Sequence, residues 1–343
     1  MKVLVTGAGG FLGAHVVERL LTHGYTDIRC FLRERSKGEQ LLRISAAYPD
    51  AQVELCFGNL RSKSDCARAA ADVSLVFHLA AGLKGSPAEL FADSVVASRN
   101  LLEALEGRDS FPAPQTRVVL VSSFGVYGVA ALRRGAQVDE QTPLEGRPEL
   151  RDPYSQSKLR QEQLFWDCQR KMGFELVILR PGVIYGPGGG AFSNRVGLQI
   201  GPVFFHLGGS NLLPLSYVDN CAEAIVVAGT HPDSAGQVYN VHDDDLPTAS
   251  RYLRAYKKHV RRMRSVRLPY FMTRMLAGAL ESYHRRSQGQ LPAIITRYKA
   301  AAAWGGNTFS NAKLHGLGWR QLVSTSDAMA QTFAYLSEQG KQQ

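Results

Sequence analysis

Long apolar runs are missing from this 343-residue sequence, although 45% of its residues are apolar. A transmembrane helix needs about 20 consecutive apolar residues, so we predict no membrane span. We do not expect a leader peptide either, because Lys2 is followed at once by the strand-like segment Val3–Val5. From these two absences we expect a cytoplasmic protein.

Cysteine is also scarce and scattered, and the five residues are Cys30, Cys56, Cys66, Cys168 and Cys221. None of them forms a Cys-x-x-Cys pair or a Cys/His cluster with the spacing of metal ligands. A few dispersed cysteines in a cytoplasmic protein predict reduced, mostly buried thiols. We therefore expect no metal site.

Acidic residues are absent from residues 251–267, which carry eight of the lysines and arginines behind the net charge of +10. Three interpretations remain open. The segment is a solvated helix, or a membrane-surface contact through residues 251–280, or a patch that attracts a phosphorylated substrate. Nucleic-acid binding is not expected, because no recognised binding module accompanies the charge.

Short apolar segments alternate with longer segments of helical periodicity through the first half of the chain. We predict strands at Val3–Thr6, Ile28–Arg33, Val53–Phe57, Leu75–Ala80, Val118–Ser122, Phe174–Arg180 and Gln237–Val241. Strand–helix alternation predicts a parallel sheet with helices on both faces. The expected fold class is α/β, a doubly wound Rossmann sheet with a smaller, mostly helical C-terminal lobe.

We predict two parts that share the active site between them. The dinucleotide-binding Rossmann domain takes residues 1–181 and about 217–242, and the substrate-binding lobe takes 182–216 and 243–343. In open α/β sheets, ligands bind outside the carboxyl ends of the strands. We therefore expect the active site at that edge of the sheet, facing the second lobe.

The first predicted strand runs directly into a glycine-rich turn and then a helix. Gly7, Gly10 and Gly13 have the spacing Gly-x-x-Gly-x-x-Gly. Gly7 allows the tight turn, Gly10 lets backbone N–H groups approach a pyrophosphate, and Gly13 allows close packing of the helix. An ordinary glycine turn is the alternative, but the flanking strand and helix favour a dinucleotide site.

The end of the second predicted strand indicates which dinucleotide is preferred. NAD enzymes usually carry an acidic residue here for the ribose 2′-hydroxyl, whereas this chain has Arg33. A cation suits a 2′-phosphate, so we predict NADP(H) in preference to NAD(H). The alternative is that Arg33 stacks on the adenine or faces solvent, and that Glu34 binds the ribose.

A long helix is predicted from about Pro153 to Lys171, and it places Tyr154 and Lys158 on one face at i and i+4. A free tyrosine has a pKa near 10, and a neighbouring ammonium favours its phenolate. Ser123, at the end of the fifth predicted strand, can orient a substrate oxygen. We predict that Tyr154 is the general acid/base, supported by Lys158 and Ser123.

Five motifs occur in one order: Thr6–Gly13, Val76–Ala81, Ser122-Ser123, Tyr154-x-x-x-Lys158 and Leu179–Pro187. Together they resemble the extended short-chain dehydrogenases/reductases, the NAD-dependent epimerase/dehydratase family. The resemblance covers residues 1–245 approximately. It implies a Rossmann fold, bound NAD(P), a small-molecule substrate and pairing of two copies into a homodimer through two helices.

The resemblance also assigns cofactor contacts. It implies that the turn holding Phe11 and Leu12 binds the pyrophosphate, and that Lys158 also holds the nicotinamide ribose. Asn59 and Leu60 are expected beside the adenine, although the family usually has Asp-Leu there. The remaining implied contacts, to riboses, phosphates and nicotinamide, are Leu79, Ala80, Ala81, Ser122, Tyr154, Pro181, Gly182 and Val183.

Within the family, the segments Arg180–Pro187 and Asn211–Asn220 are more similar to 3β-hydroxysteroid dehydrogenases and related acyl reductases than to sugar-nucleotide epimerases. The first hypothesis is therefore a reductase or dehydrogenase of a hydrophobic, acyl or steroid-like substrate. A sugar-nucleotide epimerase, dehydratase or reductase that keeps its cofactor is the second. The third, a binder without catalysis, does not explain the complete set of Ser123, Tyr154 and Lys158.

Two further groups of residues are assigned. Asp219 and Asn220 are interpreted as scaffold residues that join the two lobes. The candidate substrate contacts in the second lobe are Ser193, Asn194, Arg195, His206, Asn211 and Tyr283.

Overall fold

The structure is a computed structural model, and it describes residues 1–33, 38–107, 116–190, 195–287 and 296–342. The strands in these residues are β1 (Lys2–Thr6), β2 (Asp27–Leu32), β3 (Gln52–Phe57), β4 (Val73–His78), β5 (Arg117–Val121), β6 (Gln137–Val138), β7 (Glu175–Pro181), β8 (Val183–Tyr185), β9 (Gly197–Ile200), β10 (Val203–His206), β11 (Leu215–Tyr217), β12 (Gln237–Val241), β13 (Ser265–Arg267) and β14 (Thr308–Phe309).

The helices of the same residues are α1 (Phe11–Thr22), α2 (Glu39–Ala46), α3 (Lys63–Ala70), α4 (Pro87–Phe91), α5 (Ala97–Glu106), α6 (Pro153–Met172), α7 (Val218–Thr230), α8 (Ala249–His259), α9 (Tyr270–Arg286), α10 (Arg297–Trp304), α11 (Ala312–His315) and α12 (Thr325–Gln342). A π-helical turn, Ala92–Val96, joins α4 to α5.

Seven of these strands form one parallel sheet in the order β12-β7-β5-β4-β1-β2-β3. Chain order reverses direction between β1 and β4, which leaves a crevice at the carboxyl ends of the strands. This confirms the predicted doubly wound sheet, with each of the seven predicted strands displaced by at most two residues at either end.

Alternating side chains of the strands explain why helices cover both faces. Val3 and Val5 point to the face covered by α1 and α7, whereas Leu4 between them joins the cluster on the opposite face with Leu101 and Phe165. Each buried aliphatic side chain of this kind contributes about 1.5–3 kcal/mol. The near-continuous apolar strands are therefore buried on both sides, as in other parallel sheets.

Helix α6 begins and ends where its local sequence directs. Asp152 accepts a hydrogen bond from the Ser155 amide at 3.0 Å, and Pro153 occupies the first helical position. Gly173 terminates the helix in the left-handed region with a φ of 76°. The predicted helix is confirmed and extends one residue further, to Met172.

The C-terminal part is mostly helical, as predicted, and contains small sheets of short strands. Of the three interpretations of residues 251–267, a solvated helix describes only the first part of the segment. Helix α8 ends at His259, and Ser265–Arg267 then pairs with β10 as strand β13. Tyr252 and Tyr256 on α8 are buried against Phe333 of α12, so that helix is amphipathic rather than wholly solvated.

All five cysteines are free thiols, four of them buried and Cys168 partly buried. Within the residues that the structure describes, none of the helices combines the length and apolarity needed to cross a membrane. The domain boundaries given above stay a prediction.

Candidate active site

The glycine-rich turn after β1 leaves no room for a side chain at Gly7 or Gly13. Gly7 has a φ of 71°, and a Cβ on it would lie 3.0 Å from the Ala80 amide nitrogen. A Cβ on Gly13 would lie 2.1 Å from the Gly7 carbonyl oxygen, so α1 packs directly on the turn. Gly10 donates its N–H to that same oxygen at 2.9 Å. The turn therefore presents backbone at the N-terminus of α1, as a pyrophosphate requires.

A cavity of about 460 Å³ lies beside this turn, at the carboxyl ends of β1, β2 and β4. The sequence-predicted residues that line it are Gly7, Gly10, Arg33, Asn59, Leu60, Leu79, Ala80 and Ala81. Its volume and the glycine backbone in its lining fit the adenosine half of a dinucleotide. The other predicted cofactor residues lie outside its lining: Phe11, Leu12 and Gly13 in α1, and Ser122, Tyr154, Lys158, Pro181, Gly182 and Val183.

Sequence reasoning missed several residues of this cavity, above all Asp93 and Lys84. Asp93 lies in the π-helical turn, and its carboxylate pairs with Arg33 at 3.1 Å and with Arg61 at 2.8 Å. No local pattern marks Asp93, because it comes from a helix that reaches the cavity only in the fold. Arg33 remains 60% exposed, so its guanidinium can reach a ligand in the cavity. Glu34 lies outside the described residues.

Ser123 and Tyr154 lie together where β5 ends and α6 begins. The Ser123 hydroxyl accepts a hydrogen bond from the Gly125 amide at 3.0 Å, which fixes the serine at the start of a short 3₁₀ turn. Burial raises the pKa of the Tyr154 phenol, and a hydrogen bond with Ser123 opposes that rise. The phenol is therefore protonated at neutral pH when the site holds no further cation.

Lys158 is buried one turn after Tyr154, with 3% of its surface exposed. Its ammonium donates to the Val121 carbonyl oxygen at 2.8 Å and to the Gln161 side-chain oxygen at 2.9 Å. Burial lowers the pKa of Lys158 to about 8, and the charge of Glu162 opposes this effect. Two of the three ammonium donors are thus engaged, and one is left for a ligand.

A neutral polar network connects Lys158 to the glycine turn. The Gln161 amide donates to the Ser98 hydroxyl at 2.8 Å, and Ser98 lies 2.8 Å from Nε2 of His78. Nδ1 of His78 lies 2.8 Å from the hydroxyl of Thr6. Burial lowers the pKa of His78 to about 3, with a contribution from Lys158. The histidine therefore stays neutral and adds no second charge beside the lysine.

A buried ion pair connects α6 to strand β7 of the sheet. Arg180 on β7 donates to both carboxylate oxygens of Glu162, at 3.0 and 2.7 Å, and its guanidinium lies 4.8 Å from the centre of the Tyr127 ring. Burial tends to lower the pKa of Arg180, but the hydrogen bonds and charge of Glu162 raise it overall. The pair anchors the segment of α6 that follows Lys158 to the sheet.

The remaining predicted residues divide into scaffold and candidate contacts. Asn220 is 1% exposed and bonds to Asp243 and to the backbone of Leu322 and Val323, which agrees with its assignment as scaffold. Asp219 bonds to His15 of α1 at 2.6 Å.

Among the candidate substrate contacts, His206 is tied to the Val196 carbonyl and to Ser250, and Tyr283 is exposed on α9. Arg195 and Asn211 line one narrow cavity. Ser193 and Asn194 lie outside the described residues.

A parallel Rossmann sheet, a glycine turn at the first helix and a Ser/Tyr/Lys set at the fifth strand define the short-chain dehydrogenases/reductases. The model for the NAD dependent epimerase/dehydratase family matches residues 3–241, and the chain therefore belongs to that family. It is an NAD(P)-dependent enzyme of the extended short-chain dehydrogenase/reductase type.

Curated relatives include both substrate types. The chain is 29% identical over 255 residues to the "Uncharacterized UDP-glucose epimerase YtcB" of Bacillus subtilis, with 70% of this chain and 76% of that protein covered. It is 26% identical to a 3-beta-hydroxysteroid dehydrogenase of Mycolicibacterium neoaurum, with 98% and 92% covered.

Among solved structures, a UDP-glucose 4-epimerase from Bifidobacterium longum in complex with NAD+ and UDP superposes with a TM-score of 0.71. The two chains are 21% identical, and 99% of each is covered. This likeness shows a shared fold over the whole chain and leaves the substrate open.

Proposed function

We propose that this protein interconverts a secondary alcohol and a ketone on a hydrophobic, acyl or steroid-like substrate. The observation that carries the proposal is the placement of Ser123, Tyr154 and the buried Lys158 at the carboxyl end of β5. The 3-beta-hydroxysteroid dehydrogenase relative supports the substrate class. Phe124, which follows Ser123, stacks on Phe309 at 5.6 Å and adds apolar packing beside the serine.

Each residue of the set has a separate task. Tyr154 transfers the proton to or from the substrate oxygen, since its hydroxyl is held by Ser123. Ser123 orients that oxygen and stabilises charge that develops on it. Lys158 favours the phenolate through its charge and has one donor free for a ribose hydroxyl. A bound nicotinamide cofactor would supply or accept the hydride.

A sugar-nucleotide epimerase is the second candidate, favoured by the similarity to YtcB. An epimerase keeps its dinucleotide and regenerates it, whereas a dehydrogenase releases it in every cycle. Purified protein should therefore carry little bound dinucleotide, and net turnover should require added NADP(H). Stoichiometric bound NAD, with turnover of a UDP-sugar in the absence of added cofactor, would establish the epimerase instead.

We further propose NADP(H) as the preferred cofactor, on the basis of Arg33 in the wall of the cavity. Arg33→Met should weaken NADPH binding by about 10–100-fold, because it removes charge-assisted hydrogen bonds worth about 1.5–3 kcal/mol. NADH binding should change little, as titration of intrinsic protein fluorescence would measure.

The matched control for this variant is Arg61→Met. Arg61 shares the carboxylate of Asp93 with Arg33 but is not among the residues that line the cavity. Arg61→Met should leave the ratio of the NADPH and NADH dissociation constants within about twofold of the wild-type ratio. If Arg33→Met leaves the ratio of the NADPH and NADH dissociation constants unchanged, Arg33 does not select the cofactor. Asp93 would then be favoured as a ligand of the ribose.

We also propose that the enzyme contacts an anionic membrane surface through α9 and the basic residues before it. Phe271 and Met275 on α9 are 63% and 73% exposed, and Met272 and Leu276 beside them are exposed as well. Their spacing puts all four on one face of the helix. The exposed cations in the segment before α9 and on its second turn are Arg261, Arg262, Arg264, Arg267 and Arg274. An exposed apolar helix face together with exposed cations close in sequence suits an interface of anionic lipids.

Flotation with phosphatidylglycerol vesicles should recover several-fold more protein than flotation with phosphatidylcholine vesicles. The double variant Phe271→Ser/Met275→Ser should lose this excess, and Leu42→Ser/Leu322→Ser, which replaces exposed apolar residues elsewhere, should keep it. Equal recovery in the soluble fraction with both lipids would refute the membrane contact. A wild-type dimer that the double variant converts to a monomer would assign the face to a second copy.

A further inference from the structure

Arg195 lies in the predicted substrate-binding lobe, and among the described residues it has no counterion. Among the described residues, its guanidinium donates no hydrogen bond, and no carboxylate lies within 4.0 Å of it. It is only partly exposed. Burial lowers the pKa of Arg195 to about 10, and the nearby positive charge of Arg151 lowers it further. A partly buried cation that feels a like charge is stabilised when an anion compensates it.

Arg151 is also incompletely satisfied. Its guanidinium donates to the Gly125 carbonyl oxygen at 2.7 Å, to the Ser155 hydroxyl at 3.1 Å and to the Tyr298 hydroxyl at 3.4 Å, but its buried Nε has no partner in the described part of the chain. Burial lowers the pKa of Arg151, opposed by the charges of Asp152 and Glu145. Both of those carboxylates are already engaged, Asp152 by the Ser155 amide and Glu145 by the Tyr298 hydroxyl.

Contacts link both cations to the segments that carry the reacting residues. Arg151 lies three residues before Tyr154, and its guanidinium donates a hydrogen bond to Ser155, the residue after Tyr154. Arg195 lines a narrow cavity, large enough for about one water molecule, together with Asn211, Leu212, Leu213, Ala302, Gly306, Asn307 and Phe309. Phe309 stacks on Phe124, which follows Ser123. This cavity can admit an oxygen atom of a ligand, but not a whole substrate.

Among the described residues, no acidic side chain lines that cavity, and the side-chain amides of Asn211 and Asn307 belong to its lining. A third cation, Arg134, has its Cγ 4.0 Å from the position that a Cβ on Gly306 would take. Guanidinium groups bind carboxylate and phosphate oxygens with short, charge-assisted hydrogen bonds, which are about twice as strong as neutral ones. An anionic group here would offset the repulsion between the two arginines.

We propose that Arg195, with Arg151, binds an anionic oxygen group of the substrate, so that the enzyme acts on an apolar alcohol or ketone that carries a carboxylate or phosphate. The inference rests on the proposed oxidoreductase function of the same site. It narrows the substrate class from hydrophobic molecules in general to acidic ones.

The test is a binding measurement that does not depend on turnover. Calorimetric titration of the NADP(H)-saturated enzyme with decanoate, decyl phosphate and decanamide compares two anions with a neutral molecule of the same chain length. At least one anion should bind about tenfold more tightly than the amide or better. Preference for decyl phosphate would identify a phosphate group, and preference for decanoate a carboxylate.

Arg195→Met should abolish the preference for the anion, and Arg195→Lys should retain part of it. Arg43→Met, which replaces an exposed arginine on α2, should keep it fully. Because Arg195 has no partner in the described residues, Arg195→Met should also raise the Tm of the ligand-free protein. A structural role would lower that Tm instead.

Equal binding of the amide and both anions by the wild type, or anion binding that persists in Arg195→Met, would overturn the proposal. Failure of the oxidoreductase function has a different signature. In that case alcohols and ketones are not turned over, while the anion preference and its dependence on Arg195 persist.

Discussion

Tyr154→Phe is expected to lower kcat by about 10²–10⁴-fold, the usual contribution of a general acid/base. The loss follows from geometry, because the phenol is the titratable group that Ser123 holds at the carboxyl end of β5. Phenylalanine keeps the ring and its packing but removes the proton. The dissociation constant of the dinucleotide should stay within about threefold, since the described cavity is lined by other residues.

Steady-state kinetics and a separate cofactor titration check this expectation. Tyr48→Phe is the matched control, because its hydroxyl bonds to Thr22 at 3.1 Å on the outside of the sheet, far from Ser123. It should leave kcat unchanged. Near-normal turnover by Tyr154→Phe would refute the proton-transfer role.

The pH dependence of the wild-type reaction rates should reveal the ionisation of Tyr154. Burial raises the pKa of Tyr154, so the proton-donating form dominates at neutral pH. Ketone reduction should therefore be nearly independent of pH around neutrality and fall in alkaline solution. Alcohol oxidation requires the phenolate and should rise with pH over the same range.

The second large effect concerns stability. Glu162→Ala should lower the free energy of unfolding by about 3–5 kcal/mol, because it leaves the guanidinium of Arg180 buried and uncompensated. The two side chains are 1% and 5% exposed, so solvent cannot take the place of the lost partner. Urea denaturation followed by circular dichroism measures the loss.

The double variant Glu162→Met/Arg180→Met provides the control. Replacing a buried ion pair by apolar side chains of similar volume is often neutral, so it should recover most of the stability lost in Glu162→Ala. Lys171→Met, which breaks the exposed pair with Glu106, should change the midpoint of urea denaturation little. A loss below about 1 kcal/mol in Glu162→Ala would mean that water or relaxation solvates Arg180.

The order of strands and helices could be predicted because each depends on neighbours in sequence. The apolar segments ending at Thr6 and Val121 alternate with helices whose caps are local, such as Asp152 and Gly173. For the same reason, the sequence did not show that the helix ends within residues 251–267. Helical periodicity continues past His259, but pairing with β10, which is more than fifty residues away, decides the conformation of Ser265–Arg267.

By itself, the sequence determined the family, the doubly wound sheet and the spacing of Tyr154, Lys158 and Ser123 relative to the strands. These follow from periodicity, capping and motif order, all of which are properties of short segments. Only the tertiary structure decided which charges have partners. It paired Asp93 with Arg33, joined Gln161 to His78 through Ser98 and left Arg195 without a described partner. Such contacts join residues distant in the chain, and burial, which sets their strength, exists only after folding.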